Sequence, residues 1–264
     1  MKSFRFGAIW TISLLAAWPA FGQVGGRVRA LPLPALGYSP EQSWYGGAVG
    51  FFSFPSRDSL TPAASAQAEF HFTLRKQFVA TLMGQGFSPR KRYFFRGYGT
   101  YRLFPDRYWG VGSSAPAENR EDYDSRRLHV RLSALRRAAP AFYLGVRAEA
   151  FFLHAVRPGP LLARTRPPGF DGGFASGLGL GLQYDTRKNL PNPTDATFFL
   201  FFHTIYHPVF GSEFNFHRIE FDFRKYFTLF SAPAIGDKKI GRYIHTLALQ
   251  INGVFCPGET PFFM

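Results

Sequence analysis

The sequence predicts an all-β protein, an antiparallel transmembrane β-barrel. Three observations predict it: long segments of strict apolar–polar alternation, an unusual load of aromatic residues, and an export signal on a chain with no later apolar run of helical membrane-crossing length. Phe 32, Tyr 12 and Trp 4 make 18% of the 264 residues aromatic, while charged residues are also only 18%, against about 25% in ordinary domains. Many aromatics and few charges exclude a disordered chain or a coiled coil. A mean hydropathy of −0.10 excludes a bundle of transmembrane helices. Gly 27 and Pro 20, without a three-residue period, exclude collagen and suit a turn-rich β chain. One cysteine, Cys256, excludes an internal disulfide framework. The net charge of +14 is spread along alternating segments, with no helix-turn-helix, zinc-finger or RNA-binding signature, so no nucleic-acid partner is expected.

Residues 1–22 read as a secretory signal peptide. Lys2 and Arg5 form a positive start, 6–17 an apolar core, and Ala20-Phe21-Gly22 a small-residue cleavage site. The apolar run falls short of the roughly 20 residues that a helical anchor needs. Residues 23–43, with Pro32, Pro34 and Pro40, read as an extended periplasmic lead-in, and 44–264 as the barrel domain.

The strands are read from period-two patterning, since successive side chains of a strand point to opposite faces. Ala66, Ala68, Phe70, Phe72 and Leu74 alternate with Gln67, Glu69, His71, Thr73 and Arg75. Leu128, Val130, Leu132 and Ala134 alternate with Arg127, His129, Arg131 and Ser133. Leu144, Val146 and Ala148 alternate with Gly145, Arg147 and Glu149, and Ile219, Phe221 and Phe223 with Arg218, Glu220, Asp222 and Arg224. In Leu178, Leu180 and Leu182 the intervening residues are Gly177, Gly179 and Gly181, which leave room on the second face. About ten such segments are expected, near 44–54, 65–75, 77–86, 91–103, 126–137, 141–153, 173–185, 196–207, 214–227 and 242–255. Their length suits tilted strands crossing hydrocarbon, which need about 9–11 residues. Long connections at 104–125 and 154–172 and short ones elsewhere predict alternating short and long loops. A soluble β-sandwich would alternate too, with its polar face outward. Aromatics at strand ends, among them Trp44, Tyr93, Tyr101, Phe142, Tyr226 and Tyr243, favour membrane girdles instead.

The charges of the polar face form the expected lumen lining: Arg127, Arg131, Arg147, Glu149, Arg218, Glu220, Asp222 and Arg224, joined by Glu69, His71, Arg75, Arg96 and Arg102. They predict a cross-strand salt-bridge lattice, and a net positive surface toward anything inside. No catalytic motif, cofactor motif or metal-ligand spacing is present, so no enzyme and no cofactor is expected. His203 and His207, four apart in a strand, would lie roughly 13 Å apart and cannot share a metal.

The run from Gly177 through Tyr184, Asp185, Thr186, Arg187, Lys188 and Asn189 to Pro191, Asn192, Pro193 and Thr194 is specific. With Asp222-Phe223-Arg224-Lys225-Tyr226 and the late Pro261-Phe262, it resembles the bacterial surface-antigen family, the BamA/TamA-like outer-membrane proteins. The resemblance implies a sixteen-stranded outer-membrane barrel, of which this chain supplies about ten strands and stops before the last. It implies lipid of the outer membrane as surroundings, and unfolded outer-membrane or exported polypeptides as partners. The chain departs from the family in having no room for periplasmic domains ahead of residue 44, and in carrying Ala196 where a glycine is usual. Arg96-Gly97-Tyr98 mimics a family loop motif but falls within a strand-like run. Two functions follow as expectations, a part in outer-membrane assembly or polypeptide translocation, and a passive pore or structural barrel.

Overall fold

The computed structural model describes residues 28–39, 43–56, 61–110, 116–187, 193–232 and 243–264. The expected signal peptide, 1–22, and Asn189 of the turn motif lie outside them. The described residues form one antiparallel sheet of eleven strands in sequence order. These are β1 (Arg29–Ser39), β2 (Ser43–Phe54), β3 (Ala64–Thr73), β4 (Phe78–Phe87), β5 (Tyr93–Tyr108), β6 (Glu121–Ala139), β7 (Phe142–Arg157), β8 (Gly173–Asp185), β9 (Thr197–Tyr206), β10 (Phe216–Ala232) and β11 (Tyr243–Phe255). Among the described residues no ladder joins β1 to β11, so both are edge strands.

Two expectations are corrected. The lead-in of 23–43 contains a strand, β1, paired with β2 from Arg29↔Ser53 to Ser39↔Ser43. Pro32 and Pro34 argue against a central strand, but an edge strand tolerates prolines. The two share one parity, so both missing donors fall on the same side of β1. The second correction concerns loops. Residues 104–108 and 121–125 are strand, because β5 and β6 stay paired as far as Tyr108↔Glu121, which shortens the expected loop to 109–120. The connections at 40–42 and 74–77, both short, share an end of the sheet with the long ones at 109–120 and 158–172, so short and long do not segregate. Within 158–172 a helix, α1 (Pro160–Thr165), rests its N-terminus on Glu121, whose carboxylate accepts from Leu161 N at 2.7 Å and Leu162 N at 2.6 Å. That satisfies two of the amide donors a helix start leaves orphaned.

One face of the sheet is apolar and open: Phe72, Leu82, Leu132, Val146, Leu180 and Ile251 are each more than half exposed. The other face is concave. A single cavity of about 1130 Å³ is lined from β1 through β7 and again by β9 and β10, which a flat sheet cannot do. The concave side is filled in layers. Phe94, Leu135, Tyr143, Phe198, Leu200 and Phe202 pack together toward one end. Phe151, Leu153, Ala175, Tyr206 and Phe216 pack toward the other, and there the tail after β11 folds back over them. Phe263 stacks on Phe151 at 5.4 Å, and Phe262 meets Tyr123 at 5.5 Å and Tyr108 at 5.9 Å. The Phe262 amide donates to the Pro168 carbonyl at 3.0 Å. Gly169, at φ +79, lets the tail approach: a Cβ there would lie 2.6 Å from the Phe263 ring. Full burial of such side chains stabilises by about 1.5–3 kcal/mol each.

Candidate functional site

Between the two apolar layers lies a charged belt, and strand register builds it. One continuous cross-strand row on the concave face runs Arg29, Ser53, Ser65, Gln85, Arg96, Ser133, Arg147, Gly179, Thr204, Arg218. It holds four arginines and no acid. Glu149 and Glu220 lie two residues away on β7 and β10, and reach into the row from either side.

The acids hold the arginines in a lattice. Glu149, whose side chain is fully buried, accepts from Arg131 Nη2 at 2.7 Å and Nε at 3.1 Å, and meets His129 Nε2 at 2.7 Å. Glu220 meets Arg147 Nη1 at 2.9 Å, Arg131 Nη1 at 3.6 Å and Arg218 Nε at 3.8 Å. Arg131 therefore bridges both carboxylates and ties β6 to β7 and β10. Nearby, Arg127 pairs with Asp106 at 2.8 Å and lies over the Phe151 ring at 5.4 Å. Asp222 holds Arg224 at 2.6 Å and accepts from Gln250 of β11 at 3.0 Å.

The glycines of β8 make the lattice possible. Gly177, Gly179 and Gly181 occupy the concave face, where side chains of β9 lie flat across them. A Cβ on Gly181 would collide with the Phe202 ring and lie 2.5 Å from the Phe201 carbonyl. Phe202, lying there, carries the Arg147 guanidinium on its face at 3.6 Å. Arg147 is 3% exposed and Phe202 1%, so this cation–π contact is desolvated, where such contacts are strongest.

The turn motif forms a second cluster at the β8–β9 end. Arg187 grips Asp185 through Nε and Nη2, both at 2.9 Å, and its guanidinium lies over Phe198 at 4.2 Å, with Arg224 over the same ring at 5.4 Å. Thr186 closes the connection: its hydroxyl donates to the Thr197 carbonyl at 3.2 Å and accepts the Thr197 amide at 2.8 Å. Tyr184 is 38% exposed on the convex face, and Pro193 lies in the connection itself. The left-handed conformation falls on Asp195, at φ +42, and not on Ala196, so no glycine is required at 196. The Asp195 carboxylate accepts the Thr228 amide at 2.9 Å, and this bond draws its pKa below the usual aspartate value.

Every charge expected in the lumen and lying within a strand sits on the concave face, while Arg75 lies in the turn beyond β3. His203 is on the convex face, where its Nε2 meets His217 Nδ1 at 2.9 Å; His207 lies past the end of β9, and its Nδ1 accepts from the Val209 amide at 3.2 Å. No group of three or more metal-ligating side chains occurs among the described residues. Sequence reasoning missed Asp106 as the partner of Arg127, because its segment read as loop. It also missed the His203–His217 pair and the folded-back Phe262 and Phe263. Only the Phe-Phe pair beside Pro261 hinted at the last of these.

No protein-family model matches the chain, and no curated protein matches it.

Proposed function

We propose that the chain is an outer-membrane β-barrel protein of the surface-antigen type, exported through its N-terminal signal. The observation that carries this reading is the inversion of the sheet, with charges on the concave face and large apolar side chains on the open one. Leu180 is 70% exposed, Ile251 64% and Leu82 60%. An apolar surface running across eleven strands far exceeds the few hundred Å² that soluble monomers leave open, and lipid is the surrounding that covers it. In lipid an unpaired strand edge costs several kcal/mol per orphaned group. The edges of β1 and β11 therefore have to be paired, by each other or by further strands as a sixteen-stranded barrel would supply.

For the role, the surface-antigen motif favours outer-membrane assembly or polypeptide translocation, while the Glu149–Arg131–Glu220–Arg147 lattice favours a structural or passively conducting barrel. Heat-modifiable gel mobility of the chain refolded into detergent tests the barrel. A faster unboiled band supports it, and an unshifted, aggregated product refutes closure by these strands alone. Loss of the gene separates the roles: depletion of other outer-membrane proteins supports assembly, and an unchanged outer-membrane profile supports the structural barrel.

A further inference from the structure

The concave face is divided. Arg131, Arg147 and Arg218 on β6, β7 and β10 meet Glu149 and Glu220. Further along the concave face His71 meets Glu69, and Arg102 and Arg127 meet Asp106, but the stretch of the arginine row on β1 to β5 has no acid of its own. Arg96 makes no ion pair among the described residues; its guanidinium rests over Phe94 at 5.2 Å and it lines the cavity. Gln85 stands opposite it on β4, and Arg29 lies further along the same row. In the adjoining row Leu31, Phe51 and Met83, with Gln67 between the last two, face inward, and the three apolar side chains remain 41%, 42% and 37% exposed. These side chains line the same cavity, whose volume of about 1130 Å³ is ample for a ligand, such sites spanning roughly 300–1,000 Å³.

We propose that this cavity binds a single-chain anionic amphiphile, with its acidic head on Arg96 and Gln85 and its alkyl chain over Leu31, Phe51 and Met83. A small anion would neutralise Arg96 but leave the apolar row wet. A neutral alkyl chain would cover that row but leave a half-buried guanidinium without a counter-charge. One molecule with both parts satisfies both, because guanidinium–phosphate and guanidinium–carboxylate bonds are the strong, directional ones. The inference stands on the cavity lining and not on placement in a membrane.

The test is calorimetric titration of the full chain, folded in a nonionic detergent, with dodecyl phosphate below its micelle concentration. Dodecanol and inorganic phosphate are titrated in parallel. Saturable one-to-one binding of dodecyl phosphate is expected, with dodecanol and inorganic phosphate each weaker by about tenfold or more. Arg96→Gln should weaken dodecyl phosphate about tenfold, with Arg96→Lys keeping part of the affinity. Phe51→Ala should weaken it while leaving inorganic phosphate unchanged. Absence of saturable binding overturns the proposal, as does R96Q binding like the unmodified chain. Inorganic phosphate binding as tightly as dodecyl phosphate overturns it in favour of a plain anion site, and equal binding of dodecanol overturns the role of Arg96.

Discussion

Adding one methyl group at Gly181 should destabilise the protein, and adding the same group at Gly99 should not. Both glycines are strand residues, and neither has a left-handed backbone. A Cβ at Gly181 would run into the Phe202 ring and lie 2.5 Å from the Phe201 carbonyl. The carbonyl belongs to a hydrogen-bonded strand and cannot retreat, so the ring must move. Overpacking of this kind costs about 1–3 kcal/mol. Displacing the ring also removes the surface under the Arg147 guanidinium, a desolvated cation–π contact of about 2 kcal/mol. Allowing for overlap between the two, Gly181→Ala should lose about 2–4 kcal/mol. At Gly99 a Cβ meets nothing within 4 Å, so Gly99→Ala should be neutral or gain about 0.5 kcal/mol from a less flexible unfolded chain. Urea unfolding of the detergent-folded protein, followed by tryptophan fluorescence, measures both. A Gly181→Ala protein as stable as its parent, or two variants of equal stability, would refute the argument that the β8 glycines exist to seat Phe202.

Glu149→Gln keeps the side-chain volume but leaves Arg131 and His129 facing a neutral amide; a loss of about 3 kcal/mol in the same unfolding assay is expected, the lower end for a broken buried pair because Glu220 still reaches Arg131. Thr186→Val removes the hydroxyl that accepts the Thr197 amide, and should cost about 1–2 kcal/mol and speed exchange of that amide in hydrogen-exchange mass spectrometry. Asp195 has its pKa lowered in the folded protein by the Thr228 amide. Its stabilisation is therefore present above the unfolded aspartate pKa, about 4, and fades as pH falls through the lower folded value. Asp195→Asn should accordingly be less stable than the parent at neutral pH and converge with it in acid; parallel pH profiles would exclude this assignment. Arg127→Glu with Arg131→Glu should lower anion over cation permeability in planar bilayers, and a parent protein that conducts nothing would exclude the passive-pore reading.

Much of the fold was legible because its signal is local. Period-two alternation assigns a face residue by residue, and every strand-borne charge so assigned lies on the concave side. The ten expected segments all became strands for the same reason. β1 escaped because Pro32 and Pro34 obscure a strand wherever it is assumed to be central, and the extension of β5 and β6 escaped because Asp106, Arg107 and Asp122 look like loop chemistry. The Asp185–Arg187 grip could be anticipated from two residues flanking a third. Its stacking on Phe198, beside Arg224 from β10, could not.

The sequence by itself determined that this chain is all-β, two-faced and rich in interior charge, because those properties reside in spacing along one strand. Only the tertiary structure decided which charges meet. Arg147 and Glu220 are 73 residues apart in sequence and 2.9 Å apart in space, brought together across a concave sheet whose curvature no local pattern records. The same holds for the tail: Phe262 and Phe263 reach β5, β6 and β7 only because the sheet curls under them. Alternation is a property of neighbours on the chain, whereas pairing across the concave face depends on register and curvature summed over many strands.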